Sequence, residues 1–304
     1  MSIRLKELGG GFRDLLGILE SETEVRKRSG QLVTFDPNRI HLWKVVEPIT
    51  QKAGKGQPFS LRVREIEIAA AQTWPPVYQE SLGDWTLRAS GKFTMRANSV
   101  LVLGDPGIPL KSALSEVADF YSFFELIPVL HIPLPIFSEL DSELDKDGWV
   151  AKTEALVMIC DIESQAISDT TPKKWSIKDN FDDEWISLQK DQGVSEIMQS
   201  APALYASLHL NSQLVATGRA SNYQEWTTLS RLYVAEAERG RGFGRELITR
   251  LLQAAHANGA TKALLQVDVK NTHAIQLYES MGFTTHHSYR YRALENLPSK
   301  TESC

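Results

Sequence analysis

The chain has 304 residues, 42% of them hydrophobic and 23% charged, with a formal net charge of −5. That length exceeds one typical core, so two or three domains are expected, and the mild acidity argues against a general nucleic-acid binder. The two cysteines, Cys160 in an apolar run and Cys304 at the end, fit a reducing cytoplasm and exclude a disulfide framework or a Cys-based zinc site, while neither a secretory leader nor an apolar run of about 18 residues is visible.

Residues 1–55 read as short strands. FRDLLGILES, EVRKR, QLVTF and IHLWKVV alternate roughly, and RSGQ and DPN supply turns. The expectation is a small SH3-like β-barrel, followed by a Gly/Lys-rich linker from Gln51 to Ser60. Residues 61–165 then alternate strands and helices. WTLRAS and NSVLVLG read as strands, and LKSALSEVADFYSFF as a helix with Leu110, Ala113, Leu114, Val117 and Tyr121 on one side. A strand VLHIPL, a helix SELDSELDKDGW and a strand EALVMICDI follow. Residues 173–296 have a similar order. KKWSIKD is a strand, DDEWISLQKD and SEIMQSA are helices, and ALYASLHL and QLVATGRA form a hairpin across NSQ. LSRLYV is a strand, and GRELITRLLQAAHANG is a helix closed by Gly259. ALLQVDV, the helix THAIQLYESMG and the strand SYRYRAL complete an α+β chain.

The two α/β stretches read as one unit used twice. LDKDGW and LYESMGF occupy the same place, and the spacing from Gly242 to Gly282, counted back from Gly148, lands on Ile108 in LGDPGIPLKSA. Where the second stretch has RGRGFGR, the first has an acid and two prolines, and so lacks the positive charge and two amide donors. Only the second copy is expected to hold an anion.

In ERGRGFGRELITRLL, Glu238–Leu252, the seven residues Arg239–Arg245 carry three arginines and three glycines, and an amphipathic helix follows at once. Gly240, Gly242 and Gly244 let the backbone turn sharply and present successive N–H groups. The helix N-terminus adds free N–H groups and partial positive charge. Arg239, Arg241 and Arg245 add guanidinium forks suited to phosphate oxygens. The parts form a phosphate cradle. It is not a nucleotide P-loop, since no Lys-Ser or Lys-Thr follows, nor a dinucleotide loop, since Arg245 stands where the last glycine belongs.

RGRGFG, Arg239–Gly244, resembles the R/Q-x-x-G-x-G/A signature of the GNAT superfamily of N-acetyltransferases. NTHAIQLYESMGF, Asn271–Phe283, resembles that superfamily's N-x-x-A-x-x-L-Y-x-x-x-G-F block. The resemblance implies a mixed, mostly antiparallel sheet flanked by helices over residues 173–296, with a degenerate GNAT-like domain over 61–165. It implies acetyl-CoA as co-substrate and no metal. The loop from Arg239 through Phe243 to Arg245 would hold the pyrophosphate, and Leu232, Tyr233 and Val234 would pair with the pantetheine arm as an extra strand. Asn271 would contact the cofactor and cap the next helix, and Tyr278 would protonate the departing thiolate. A thiol titrates near 8–9 and a tyrosine near 10, so the proton transfer is chemically matched.

Many relatives carry a glutamate as general base where this chain has Thr228 or Gln266, and neither can serve. Asp268, two residues on and on the face of Gln266, is the nearest carboxylate; Glu225 and a water relay are the alternatives. His286 and His287 are adjacent on a strand, face opposite ways, and do not suggest a shared ion. The whole chain resembles, more weakly, a two-GNAT family that includes a short N-acetylglutamate synthase without a kinase domain. That likeness implies acetylation of the α-amine of glutamate, the first step of arginine biosynthesis, with Arg219, Arg231 or Arg290 gripping carboxylates. Ordinary salt bridges are the alternative role for each arginine. Also open are a non-catalytic CoA sensor and acetylation of protein amines or aminoglycosides. The expected partner is a small-molecule amine, with no nucleic acid and no membrane; homo-oligomer formation is left open.

Overall fold

The computed structural model describes residues 2–6, 11–27, 31–45, 57–91, 94–162, 174–189, 193 and 195–295. Contacts divide the chain into two units, residues 1–51 and 52–304. In the first, β1 (Ser2–Lys6), β2 (Phe12–Leu16) and β6 (Ile40–Lys44) form one sheet, ordered β2-β1-β6. The second sheet is β3 (Ile18–Ser21), β4 (Glu24–Arg26) and β5 (Leu32–Thr34), in that order. Ile3, Leu5, Leu15, Val25 and Phe35 make the core. Gly17 separates β2 from β3, and a Cβ there would lie 2.2 Å from the Arg26 carbonyl oxygen. Only glycine lets the strand run pass that close as it changes sheets. Among the described residues the two sheets do not close into a barrel, and the expected SH3-like module is not confirmed. Alternation sets which side chains point inward; it does not set which edges meet. Most of the expected RSGQ turn, residues 51–56 of the expected linker, and Cys304 lie outside the described residues.

The second unit is built on one sheet of eleven strands. In chain order these are β7 (Tyr78–Leu82), β8 (Trp85–Ala89), β9 (Val100–Val102), β10 (Val129–Leu134), β11 (Val150–Asp161), β12 (Lys174–Lys178), β13 (Leu204–Leu210), β14 (Gln213–Tyr223), β15 (Trp226–Val234), β16 (Lys262–Asp268) and β17 (Thr284–Ala293). Their spatial order is β12-β13-β14-β15-β16-β11-β17-β10-β9-β8-β7. The β9/β10 and β15/β16 pairs are parallel and the others antiparallel. The described α-helices before the last are α1 (Phe59–Gln72), α2 (Leu110–Phe123), α3 (Ser138–Glu143), α4 (Asp183–Leu188), α5 (Ser195–Gln199) and α6 (Phe243–Ala257); α2 and α6 bridge the two parallel pairs, because parallel neighbours need a crossover connection. β11 is inserted between β16 and β17, so the stretch before residue 165 gives a strand to the middle of the later one.

α6 and α7 (Thr272–Glu279) cover one face of the sheet, through Leu247, Ile248, Leu251 and Phe283 on Leu265 and Val267. The other face is covered by α1 (Phe59–Gln72), through Ile66, Ala69 and Ala70 against Leu264, Tyr289 and Tyr291. α1 is absent from the sequence reading, and Phe59 and Ser60, assigned there to a linker, open it. Within RVREIEI, Glu65–Ile68 alternates polar and apolar residues as a strand does; the helical spacing is carried by Val63, Ile66, Ala69 and Ala70. Cys160 is buried, which pushes its thiol up to about 12 and leaves it inert at neutral pH.

α1 also brings a carboxylate into the core. Glu67 is 1% exposed. His287 Nε2 lies 2.9 Å from its Oε1, and His131 Nε2 lies 3.3 Å from its Oε2. His286 Nδ1 is 2.9 Å from His287 Nδ1, and Arg62 Nε donates to His286 Nε2 at 3.4 Å. The network reads in one direction: Arg62 to His286, His286 to His287, His287 to Glu67. The two rings meet because β17 bulges between Thr285 and His287, which pair with neighbouring residues of β11. This corrects the expectation that they face opposite ways. Among the described residues no group of three His, Cys, Asp or Glu side chains is placed to hold a metal.

Burial pushes the Glu67 carboxyl up, but His131 and His287 more than offset it and hold it below the usual range. Burial depresses His131, and pushes His286 down to about 4. Both histidines therefore take up a proton in the unfolded chain that the folded chain refuses. Stability is expected to be full above about pH 6.5 and to fall as pH drops from about 6.5 toward 4, by at most about 1.4 kcal/mol per pH unit for each group. Urea midpoints measured across that window check this. The slope should shrink in His286→Gln; an unchanged slope would remove His286 from the account.

Candidate active site

The site is organised by a fork in the sheet. β15 and β16 pair from Trp226–Leu229 against Lys262–Leu265, and no further. The cause is a bulge in β15. Against β14, Ser230 pairs with Arg219 and Tyr233 with Thr217, so Arg231 and Leu232 share the place opposite Gly218. Arg231 has φ +55°, a left-handed conformation that costs a non-glycine residue energy. Gln189 Nε2 supports it, donating to the Arg231 carbonyl at 2.8 Å and to Thr217 Oγ1 at 2.6 Å. A Cβ on Gly218 would come within 2.9 Å of the Leu232 and Leu251 side-chain methyls, which would have to shift to admit it, so the helix packs closely on the sheet beneath the bulge. Beyond it Leu232, Tyr233 and Val234 continue along β14 on one edge, with no β16 residue on the other.

The arginine-glycine loop lies just past this edge. Gly240 and Gly242 have φ +76° and +83°, and a Cβ on either meets nothing within 4 Å. Gly242 is the N-cap of α6. The first helical return bond runs from Glu246 N–H to the Gly242 carbonyl, so the Phe243, Gly244 and Arg245 amides open the helix without intrahelical partners. Phe243 is 3% exposed and packs on Leu208, Val215 and Ala216, anchoring the loop. Gly244 lets α6 approach Leu277 of α7, where a Cβ would sit at 3.3 Å. The three arginines are tethered locally. Arg239 Nε donates to the Val234 carbonyl at 3.1 Å and lies over the Tyr233 ring. Arg241 pairs with Glu238 and lies over the Phe243 ring. Arg245 donates to Ser280 Oγ at 2.5 Å and borders a separate cavity of about 400 Å³. In the loop ahead of α2, by contrast, Asp105 itself accepts the Gly107 N–H at 2.7 Å.

A cavity of about 510 Å³ opens at the fork. On its α7 side stand Asn271 and Tyr278. Asn271 Oδ1 accepts the Ala274 N–H at 3.2 Å and so caps α7. Burial raises the Tyr278 hydroxyl above the usual tyrosine value. On its α1 side stand Trp74, Arg96, Ser230, Gln266, Tyr289 and Tyr291. Asp268 lines the cavity but is exposed, and its Oδ1 accepts the Lys270 N–H at 2.7 Å as a turn cap does. Glu225 is paired with Lys262 at 2.7 Å and does not line the cavity. Thr228 is buried and hydrogen-bonded to Thr73 at 2.7 Å.

Of the three arginines read as carboxylate clamps, Arg231 alone lines this cavity. Arg219 is fully buried; it donates to the Thr73 carbonyl at 3.0 Å and the Met198 carbonyl at 3.3 Å, and lies over the Trp74 ring. Arg290 is held by Asp141 and, at 2.7 Å, by Glu154. The strand position gives a side chain its face, but it does not reveal the acids and carbonyls waiting there. The sequence reading also passes over Arg96 and Trp74, which follow no motif. The tyrosines did leave a signal, since in SYRYR the alternation puts Tyr289 and Tyr291 on the face opposite Arg290.

A mixed, mostly antiparallel sheet split between two parallel strands, with a glycine-capped helix facing the split, defines an N-acetyltransferase of the GNAT type. The chain belongs to the family described as "Probable histone acetyltransferase Rv0428c C-terminal", which matches residues 61–292. It is 30% identical to the uncharacterized N-acetyltransferase YobR of Bacillus subtilis, over 76% of this chain and 98% of that protein. It is 25% identical to the probable histone acetyltransferase Rv0428c of Mycobacterium tuberculosis, over 90% of this chain and 85% of that one. Its fold is similar to a GCN5-related N-acetyltransferase from Kribbella flavida, with a TM-score of 0.61 and 13% identity over 77% of this chain and 95% of the other. GNAT enzymes use acetyl-CoA as co-substrate. Among the described residues no helix is long and apolar enough to cross a membrane.

Proposed function

We propose that the chain transfers the acetyl group of acetyl-CoA to the amine of a small acceptor bearing a carboxylate, with the α-amine of L-glutamate as the first candidate. One observation carries this reading: among the described residues that line the cavity at the fork, Arg96 and Arg231 are the cations and Asp268 is the only acid, with Tyr278 in the same lining. Two guanidinium groups in a cleft with no inner carboxylate suit an anionic acceptor rather than a polycation.

The open loop over Gly240 and Gly242 and the amides of Phe243, Gly244 and Arg245 fit the pyrophosphate. Arg241 and Arg239 reach it by exchanging exposed local contacts, which costs little. The free edge at Leu232, Tyr233 and Val234 fits the pantetheine amides, and Asn271 stands beside it. Acetyl-CoA supplies an activated thioester, which the amine attacks directly. Tyr278 gives its proton to the leaving sulfur, and Asp268 is the nearest carboxylate for the proton of the acceptor ammonium. In this reading residues 173–296 are the acting GNAT copy. Residues 61–165 are a second copy whose loop is filled by Asp105 and whose helix and Arg96 wall the acceptor side.

The test is thiol release from acetyl-CoA with L-glutamate, L-glutamine, other amino acids, polyamines, an aminoglycoside and a lysine-containing peptide. Glutamate is expected to lead. Equal rates for glutamine would show that the side-chain carboxylate is not read, and reaction of polyamines alone would end the proposal. Arg96→Ala is expected to raise the KM for carboxylate acceptors about tenfold or more while sparing acetyl-CoA affinity. A peptide that outruns every amino acid would favour a protein amine, as the name of the mycobacterial relative suggests for that protein.

A further inference from the structure

Polar atoms buried in the acceptor cavity that nothing in the described protein satisfies include Trp74 Nε1, Ser230 Oγ, and both Nε2 and Oε1 of Gln266. Trp74 is 3% and Ser230 8% exposed. Native proteins leave few such atoms, because each costs the full desolvation of its group. Here they come from three different elements and converge on one cavity.

Their placement is specific. The β15/β16 ladder ends at Leu229 and Leu265, and Ser230 and Gln266 are the next residue on each strand. They therefore stand across the mouth of the fork, on the face that carries Thr228 and Leu264 toward α1. Trp74 closes that face from the end of α1. Its position is over-determined: Thr73 is hydrogen-bonded to Thr228, Arg219 holds the Thr73 carbonyl, and the guanidinium groups of Arg219 and Arg96 lie over the Trp74 ring, at 5.3 and 5.6 Å from its centroid. The indole N–H is thus fixed, and it can only donate.

We infer that this trio recognises the α-amine and α-carboxylate of a free amino acid together. The amine donates to Gln266 Oε1 and Ser230 Oγ at the fork, and the carboxylate accepts from Trp74 Nε1 beside Arg96 and from Gln266 Nε2. A zwitterionic head thus offers a donor to each acceptor and an acceptor to each donor. A protein lysine brings an amine only and leaves the indole N–H unmet. The inference rests on the acetyl-transfer reading of this cavity and narrows its acceptor to one class.

The experiment compares the full chain with Trp74→Phe, Ser230→Ala and Gln266→Leu. Acceptors are L-glutamate, L-methionine, 4-aminobutanoate and a lysine-containing peptide. Trp74→Phe keeps the ring and removes the N–H, and it is expected to raise KM for the two α-amino acids about ten- to hundredfold without a matching change for the other two amines. Ser230→Ala and Gln266→Leu are expected to raise KM for amino acids while leaving the Tm of the ligand-free protein unchanged or higher, since each removes an unmatched atom. A lowered Tm with unchanged KM would mean a structural role and overturn the inference. Turnover of the peptide but of no amino acid would overturn it and leave acetyl transfer standing. If no amine turns over, calorimetric titration of L-glutamate and L-methionine into CoA-saturated protein decides. Binding that weakens in Trp74→Phe upholds the recognition site without the reaction, and no binding rejects it.

Discussion

Gly242→Glu is expected to abolish acetyl-CoA binding. The residue caps α6 with φ +83°, and a Cβ there meets no neighbour. The protein therefore has room for a side chain, and the damage is not steric collapse. A glutamate would be strained in the left-handed conformation by about 1–2 kcal/mol, yet its carboxylate would be welcome at a helix N-terminus. The fold survives, and the added carboxylate takes the amides of Phe243, Gly244 and Arg245 that are proposed to hold the pyrophosphate. It also sets a negative charge against the ligand's own. Losing two charge-assisted hydrogen bonds at about 1.5–3 kcal/mol each lowers affinity on the order of 10²–10⁴-fold. Calorimetric titration with CoA checks this, with Gly242→Ala as the comparison that carries the strain without the charge. Asp105→Asn, in the loop ahead of α2, is expected to leave CoA affinity alone. Unchanged affinity in Gly242→Glu would move the pyrophosphate elsewhere.

The parts of this site that the sequence makes legible are those whose physics is local. A glycine in the left-handed region before a helix, an asparagine that caps, and a tyrosine two turns later need only neighbouring residues to define them. The turn at Asn211 and Ser212, both with positive φ, is local in the same way. The acceptor side is not. Trp74 and Arg96 reach the cavity from residues before 165, and they do so across a sheet in which β11 pairs with β16. No periodicity announces that pairing, because its partners are distant in the chain. α1 was hidden by RVREIEI, where Glu65–Ile68 alternates at strand spacing although Glu67 within it points into the core. His286 and His287 mislead for a related reason: the rule that neighbours on a strand face opposite ways fails wherever a bulge intervenes, and a bulge depends on the partner strand.

Tyr278→Phe is expected to lower kcat by about 10²–10⁴-fold, the usual contribution of a general acid, with little change in CoA affinity. The ring lies in a cluster with Phe283, at 6.0 Å between centroids, and phenylalanine retains that packing. What the substitution removes is a hydroxyl that burial holds above the ordinary tyrosine value. The direction of that shift suits the proposed role. A group titrating above about 10 is protonated at neutral pH, so in the proposed reaction it serves as a donor rather than as the base for the acceptor ammonium. The leaving thiolate, whose conjugate acid titrates near 8–9, is a weaker base than the tyrosinate left behind. The transfer therefore runs slightly uphill and is driven by collapse to the amide. The wild-type rate should accordingly hold to high pH and fall only where Tyr278 ionises, and this limb should vanish in Tyr278→Phe. Single-turnover measurements separate chemistry from product release: the deficit must appear in the acetyl-transfer step itself. Wild-type rates in Tyr278→Phe would assign protonation of the sulfur to water, and would leave Tyr278 as a wall of the cavity alone.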